Sequence, residues 1–429
     1  MKTEQLRQQL LGGAYGEQLS RLYCRPANET LPYAERFVKA VDGLEATFGP
    51  VEEGIRLFSA PGRTEIGGNH TDHQHGRVLA ASVNLDVIAA AVPNGENIIR
   101  VQSEGYPMDV VDLSQLEPQP DEVNKSASLV RGIAARFAQM GCELHGFNAY
   151  TTSFVPKGSG LSSSAAFEVL VGVMVNSLLF GGKADPVQIA QIGQWAENNF
   201  FGKPCGLMDQ MASSVGNIIT IDFNDPSAPI VERVDFDFGG VGHALCILDS
   251  GADHADLTDE YAAVPGELAK VCGVFGKKVL REVDEAEFWA RLPEVRAAAG
   301  DRGTLRAAHV YADNARVEKQ VAALRGGDFA SFLELVTDSG RSSWECLQNV
   351  IPAGYTTHQD VAVTIRLCQH LLDGAGAVRV HGGGFAGTVQ AFVPLDKLDA
   401  FRAGAEAVLG EGKCHVLAIR PVGGTELTL

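Results

Sequence analysis

The sequence lacks the features that mark membrane and secreted proteins. Its two longest apolar stretches, residues 78–92 and 165–180, are each interrupted by polar side chains, whereas a spanning helix needs about 20 consecutive apolar residues. The first residues are polar, and no apolar segment follows a basic one as in a secretory signal. We therefore expect no membrane partner and a cytoplasmic location.

Positive charge is also scarce. The chain has 35 Lys and Arg against 53 Asp and Glu, a formal net charge of -18 at pH 7. The resulting negative field repels nucleic acids and anionic membranes. We therefore expect no nucleic-acid partner, and any phosphate-binding site must be local.

Two kinds of short motif are missing as well. The eight cysteines are scattered without the close pairs of zinc sites and redox dithiols, which predicts reduced thiols. The four Gly-Lys pairs, which begin at positions 182, 202, 276 and 412, are never followed by Ser or Thr. This excludes a Walker P-loop.

The length of 429 residues and the 45% apolar content predict two hydrophobic cores. The polar, Pro-containing segment 224–227 suggests the boundary, which divides the chain into an α/β domain (1–225) and an α+β domain (226–429). Apolar periodicity predicts a helix over 126–140, and the long apolar run at 163–179 predicts another. The Val, Ala and Ile content of 78–92 predicts paired strands. Pro93-Asn94-Gly95 predicts a hairpin into the strand at 98–101.

Residues 155–166 form a glycine- and serine-rich junction between a predicted strand and a predicted helix. Glycines let the backbone approach a ligand, and free amides at a helix start favour anions. The junction therefore predicts a phosphate cradle, although the serines could merely cap the helix. Its candidate residues are Lys157, Gly158, Ser159, Gly160, Leu161, Ser162, Ser163 and Ser164.

Residues 60–76 place many polar side chains between glycines. This density of donors and acceptors is typical of a loop that recognises a polyhydroxylated ligand, because each buried hydroxyl needs a partner. Zinc binding by His70, Asp72, His73 and His75 is an alternative, but their spacing matches no usual zinc pattern.

A third segment, 382–387, contains Gly382, Gly383, Gly384 and Gly387 and formally satisfies G-x-G-x-x-G. A dinucleotide-binding motif should open a helix, but here an alternating strand pattern follows. We expect a close-packed turn that lines a ligand cleft; a nicotinamide-dependent reductase is the weakest alternative.

In their order and spacing along the chain, the three segments resemble the motifs of the GHMP kinase superfamily. The segment that comes first in the chain, residues 60–76, resembles the galactokinase signature. The resemblance extends from about Phe37 onward, and residues 1–36 have no counterpart that we can interpret. It implies an α+β, two-domain GHMP-kinase-like fold with the active site in the cleft between the domains. It also implies a monomeric ATP-dependent sugar-1-kinase that uses Mg²⁺.

The resemblance assigns roles to individual residues. Asp209 would be the base that takes the anomeric proton, Arg63 the cation beside it, and Ser164 and Glu197 the Mg²⁺ ligands. The sugar would be bound by Asn69, His70, Asp72, Gly206 and Tyr261. Taken singly, each has an alternative: Asp209 could cap a helix, Glu197 could be a surface charge, and Arg63 could pair with Glu65.

The chain also departs from the family pattern. Asn69 stands where galactokinases usually have a glutamate that contacts the hydroxyl on the sugar's sixth carbon. Asp253 and the segment 262–265 replace basic residues. Galactose or a close relative is the expected substrate; a sugar altered at the sixth carbon, such as galacturonate, and a non-catalytic sugar-sensing regulator are the alternatives.

Overall fold

The computed structural model describes residues 1–156, 158–203, 205–252 and 257–429. Over these residues the α-helices are α1 (Thr3–Leu11), α2 (Gly16–Tyr23), α3 (Leu31–Phe48), α4 (Ser126–Gln139), α5 (Ser163–Leu179), α6 (Pro186–Ala196), α7 (Met208–Val215), α8 (Thr258–Val274), α9 (Glu285–Ala290), α10 (Leu292–Arg325), α11 (Phe329–Ser342), α12 (Asp360–Leu372) and α13 (Leu398–Leu409). The strands are β1 (Arg56–Gly67), β2 (Arg77–Pro93), β3 (Ile98–Ser103), β4 (Asp109–Asp112), β5 (Phe147–Ser153), β6 (Ile218–Asp222), β7 (Ile230–Val234), β8 (His243–Asp249), β9 (Ala377–His381), β10 (Thr388–Pro394), β11 (Cys414–Leu417) and β12 (Thr425–Leu427). Among the described helices, none combines the length and apolar character needed to cross a bilayer.

The first sheet has eight strands in the order β12-β1-β2-β5-β3-β4, and β6 and β7 extend it from the far half of β2. Successive side chains of β1 and β2 point to opposite faces. Phe58 and Ala89 pack under α4, α5 and α6, whereas Leu57 and Ile88 pack under α1, α2 and α3. The first sheet is therefore buried between two helical layers.

The N-terminal helices also close a buried charged cluster. Asp86 of β2 is fully buried and forms ion pairs with Arg36 of α3 and with Arg420. Tyr23 of α2 donates to Asp86 at 2.9 Å. Residues 1–36, which the sequence left without an interpretation, thus cover one face of the first sheet and complete the surroundings of this carboxylate.

The second sheet has four antiparallel strands in the order β11-β8-β10-β9, and α12 and α13 pack on it. A shared apolar cluster joins the two sheets, with Ile66 and Leu79 from the first and Leu245 and Phe392 from the second. The chain thus has the expected two-domain α+β architecture. The boundary at residue 225 stays a prediction; β7 and β12, which follow it, pair with strands of the first sheet.

Most predicted elements are confirmed, and the differences are non-local. The predicted paired strands of 78–92 are one 17-residue strand. The predicted hairpin between β2 and β3 is wrong, because β5 lies between them and pairs with both. The backbone of Asn94 and Glu96 bonds to Gly146, just before β5, so the turn reverses the chain without joining the two strands.

Candidate active site

An arginine and an aspartate form the centre of the site. Arg63 of β1 donates from Nε and Nη2 to the two carboxylate oxygens of Asp209, at 2.7 and 2.8 Å. A register shift between Pro61 and Arg63 interrupts the pairing of β1 with β2, and such bulges re-aim side chains. Asp209 lies in the first turn of α7, after the N-cap Leu207. Asp209 therefore does not cap α7. Arg63 pairs with Asp209 and does not form a surface pair with Glu65.

The pair is asymmetric in its exposure. The Arg63 side chain is 9% exposed and that of Asp209 is 32% exposed, so the carboxylate is the more accessible member of the pair. Burial opposes ionisation of Asp209, but the charge and hydrogen bonds of Arg63 and the Ser162 hydroxyl outweigh it. The pKa of Asp209 is therefore lowered from its ordinary value, and the residue is ionised at neutral pH.

The glycine- and serine-rich junction wraps around this pair. Gly158 and Gly160 have positive φ angles, and the Gly160 carbonyl accepts from Arg63 Nη1. Ser162 precedes α5 but makes no capping bond; its hydroxyl donates to Asp209 Oδ2 at 2.7 Å. Helix capping therefore does not explain the serine at position 162. Lys157 lies outside the described residues.

The remaining junction residues differ in where they point. Leu161 is fully buried in the core under the first sheet, and Ser159 is buried and bonds to the Pro156 carbonyl. Ser163 and Ser164 line a cavity of about 540 Å³. This volume is within the range of small-molecule sites.

The cavity also places the predicted Mg²⁺ ligands together. Ser164 and Glu197 both line it, as does Lys203, whose Nζ lies 3.9 Å from Glu197 Oε1. A hydroxyl and a carboxylate are the hard oxygen donors that Mg²⁺ accepts alongside nucleotide phosphates, so the donor set fits this ion. Glu197 is buried, which excludes the surface-charge alternative.

A second carboxylate near Glu197 was missed by the sequence analysis. Glu168 of α5 is fully buried, and Gln210 Nε2 donates to it at 2.9 Å and to Glu197 at 3.0 Å. Burial, with the like charge of Glu197, raises the pKa of Glu168 well above its usual range. The available signal was a lone acidic residue within an apolar helix.

The glycine turn between β9 and β10 holds three of the predicted sugar ligands. The carbonyl oxygens of Gly382, Gly383 and Gly384 are bonded by Asn69 Nδ2, His70 Nε2 and the Tyr261 hydroxyl, at 2.6, 2.9 and 2.7 Å. Burial lowers the pKa of His70 to about 3, so its imidazole is neutral. The turn therefore sets the position of residues 68–76, the loop between β1 and β2, which we call the signature loop. The glycine turn precedes a strand, as the sequence predicted.

Asn69 itself is fully buried, with protein partners on both ends of its amide. Besides the turn, its Nδ2 donates to Glu65 Oε1 at 2.9 Å. Its Oδ1 accepts from Asn349 Nδ2 at 2.8 Å. Burial raises the pKa of Glu65 to about 7, against the opposing charge of Arg379. The side chain predicted to read the sugar's sixth carbon is thus engaged within the protein.

Asp72 and Gly206 lie against each other next to Asp209. A Cβ added at Gly206 would come within 2.2 Å of Asp72 Oδ2, which is closer than any non-bonded contact. Glycine at this position therefore allows the carboxylate to stand beside the backbone that leads into α7. Over the described residues, no three His, Cys, Asp or Glu side chains are arranged to hold a metal ion by themselves, and this includes the histidines of the signature loop.

Two family models match the chain. The model described as the galactokinase galactose-binding signature matches residues 44–93, which contain β1, the signature loop and β2. The model of the GHMP kinases N terminal domain matches residues 128–217, from α4 to the end of α7. The two matches enclose both members of the Arg63–Asp209 pair.

Individual relatives agree with these models. A galactokinase of Actinobacillus pleuropneumoniae serotype 3 is 30% identical over 354 residues, which cover 80% of this chain and 86% of that protein. A galactokinase of Streptomyces coelicolor is 29% identical over 84% of this chain and 89% of its own. The crystal structure of Lactococcus lactis galactokinase complexed with galactose has a TM-score of 0.77 at 25% identity and covers 91% of this chain and 99% of its own. A mevalonate kinase structure at 13% identity, with a TM-score of 0.57 over 85% of this chain and 98% of its own, shares the fold.

Proposed function

Because this chain belongs to the galactokinase family of GHMP kinases and is an ATP-dependent sugar kinase, we propose that it phosphorylates the anomeric hydroxyl of galactose. The observation that carries the proposal is the bidentate Arg63–Asp209 pair, which stands between the cavity at the start of α5 and the signature loop. One carboxylate is thus within reach of both a phosphate site and a sugar site.

Asp209 orients the acceptor in this proposal. Its ionised carboxylate accepts a hydrogen bond from the anomeric hydroxyl. As the bond from that oxygen to the γ-phosphorus forms and the bond to the leaving ADP oxygen breaks, the hydroxyl becomes acidic and its proton passes to Asp209. A carboxylate of lowered pKa is a weak base, so the transfer accompanies bond formation and does not precede it. Positioning of this kind carries most of the catalysis in phosphoryl transfer.

Arg63 and the junction provide the opposing charge. The Arg63 guanidinium lies against the Asp209 carboxylate and stabilises negative charge on the phosphoryl group in transit. The amides at the start of α5 favour the phosphates. Ser164 and Glu197 would hold Mg²⁺, which would neutralise negative charge on the nucleotide phosphates.

Three smaller points belong to the proposal. Gly206, Asp72, His70 and Tyr261 form the sugar side, with the glycine turn as their support. All proposed residues come from one chain, so a monomer suffices. The eight cysteines are all free, which agrees with the reducing cytoplasm.

The alternatives have less support. A preference for galacturonate depended on Asn69, whose amide is occupied by Glu65, Asn349 and the Gly382 carbonyl. A sensor without activity could lack Asp209 or Arg63, and this chain pairs them. Neither alternative is favoured by the relatives, which are galactokinases.

The test is release of ADP from ATP and Mg²⁺ over a panel of galactose, N-acetylgalactosamine, L-arabinose, galacturonate and glucose. We expect turnover of galactose and a loss of about 10²- to 10⁴-fold in kcat for Asp209→Asn, the range for removal of a general base. Asp399→Asn, at an exposed position of α13, is the matched control. Binding of galactose without turnover would favour the regulator, and preferential turnover of galacturonate would favour the altered-sugar kinase.

A further inference from the structure

Glu168 is a fully buried carboxylate that the proposed mechanism leaves without a role. It lies one turn after Ser164 on α5, and residues four apart on a helix share a face. Ser164 lines the cavity, whereas Glu168 does not line it and is fully buried. Its Oε1 is buried, and no hydrogen-bond partner for it is found among the described residues. A buried carboxyl group with an unsatisfied oxygen is costly to keep in either protonation state, so a role is needed to explain it.

Gln210 connects Glu168 with Glu197. Its Nε2 carries two hydrogens, and they are directed at Glu168 Oε2 and Glu197 Oε2, 2.9 and 3.0 Å away. Both oxygens therefore determine the plane of the amide. Gln210 directly follows Asp209 in α7, so the same turn of helix carries the proposed base and this bridge.

The approach of α6 encloses the bridge. A Cβ added at Gly193 would lie 3.3 Å from Glu168 Oε2 and 3.4 Å from Gln210 Cγ. The bridge is thus packed on several sides by α5, α6 and α7, and the Gln210 side chain has little freedom to rotate. Rigid support of this kind is what a ligand carboxylate requires to keep its orientation.

We propose that Glu168 is a positioning residue, which through the Nε2 group of Gln210 fixes the Glu197 carboxylate at the phosphate end of the cavity. The inference rests on the proposed function, because Glu197 is there assigned to Mg²⁺. Without Glu168, the Gln210 amide loses one of its two acceptors and Glu197 loses a fixed donor. The metal-dependent part of nucleotide binding should then weaken, while the phosphate cradle and the cavity walls remain.

The experiment measures the affinity of ADP by titration calorimetry, once with Mg²⁺ and once with EDTA. We expect the ratio of the two affinities to fall roughly 10- to 100-fold in Glu168→Leu, the usual effect of removing a residue that supports a metal ligand. The affinity in EDTA should stay unchanged. Glu168→Gln should retain the wild-type ratio, because its side-chain oxygen can still accept from Gln210.

Two further variants separate positioning from general damage. Gln210→Met keeps the side-chain length without the N–H groups, so it should lower the ratio as Glu168→Leu does, and it tests the inference independently if that variant folds poorly. The double variant should be no worse than either single one, since both act through one connection. Asn176→Leu, which removes buried hydrogen bonds to Ala184 two turns further along α5, should lower stability and leave the ratio unchanged.

The inference is overturned if Glu168→Leu or Gln210→Met keeps the wild-type ratio. It is also overturned if the affinity falls equally with Mg²⁺ and with EDTA, since the effect would then be structural. Turnover of galactose by the wild type is measured in parallel. A failure of the proposed function is seen in the wild type, whereas a failure of this inference is seen only in the comparison between variants.

Discussion

The ionisation of Asp209 should depend on Arg63, and this dependence can be measured. The carboxylate accepts two guanidinium N–H bonds at 2.7 and 2.8 Å, and its pKa is lowered from 3.8. Arginine in such contact lowers a carboxylate pKa by about 1 to 3 units. In Arg63→Gln the effect of burial remains without the charge that opposes it, so the pKa of Asp209 should rise.

The expected consequence is a shift in the pH dependence of kcat/KM. Protonated Asp209 cannot take the proton of the sugar hydroxyl, so activity is lost as the pH falls through its pKa. For the wild type the profile should stay flat from neutral pH towards the acid end of the assay, because the pKa of Asp209 is lowered from its ordinary value. For Arg63→Gln the acid limb should move to higher pH. At pH 8, kcat should also fall by about 10²- to 10³-fold, the usual loss for one donor to a developing negative charge.

The assay is ADP release at saturating ATP and Mg²⁺ with varied galactose, between pH 4.5 and 9. Ser162→Ala is the matched control, because it removes a neutral hydrogen bond of 2.7 Å from the same carboxylate and should move the limb less. A profile for Arg63→Gln that is reduced in height but unchanged in shape would refute the reasoning. Asp209 would then not be the group whose ionisation limits the rate.

Two further changes test other parts of the molecule. Gly206→Ala places a Cβ 2.2 Å from Asp72 Oδ2. It should raise KM for galactose by tenfold or more, about 1.4 kcal/mol, and leave KM for ATP unchanged. Equal increases for both substrates would contradict the placement of Asp72 on the sugar side. Arg36→Leu removes one partner of the buried Asp86. It should lower the free energy of unfolding in urea by about 3 kcal/mol without changing kcat. A loss no larger than that of Arg402→Leu, at an exposed position, would show that Arg420 alone suffices for Asp86.

Local patterns in the sequence predicted the elements well. The apolar recurrence in 126–140 matches α4, whose apolar positions pack into the core. The continuous apolar run in 163–179 matches α5, which is buried on nearly all sides. Asp185 and Gln188 form the capping box at the start of α6, which is a local pattern of the same kind. Strand partners were less predictable: the order of a sheet depends on segments far apart in the chain, and β5 separates β2 from β3 although a turn joins them.

The site shows the same division. The motifs indicated which segments meet, and the Arg63–Asp209 pair follows from them. The hydrogen-bond partners of individual polar side chains could not be predicted from the motifs. Asn69 is occupied by Asn349 and Glu65, which lie in other segments, and the bridge from Glu168 to Glu197 needs three helices to come together before it exists.

The short strand β12 has a consequence for how the molecule folds. Leu57 of β1 lies opposite Leu427, and the neighbouring contact of Arg56 with Glu426 spans 370 positions of the chain. Closing so long a loop is entropically costly and slow. Until β12 arrives, β1 is an open sheet edge that can pair with another chain. Residues 1–225 expressed alone would keep that edge and would also lack Arg420 beside Asp86, so we expect this fragment to aggregate and not to fold as an independent unit.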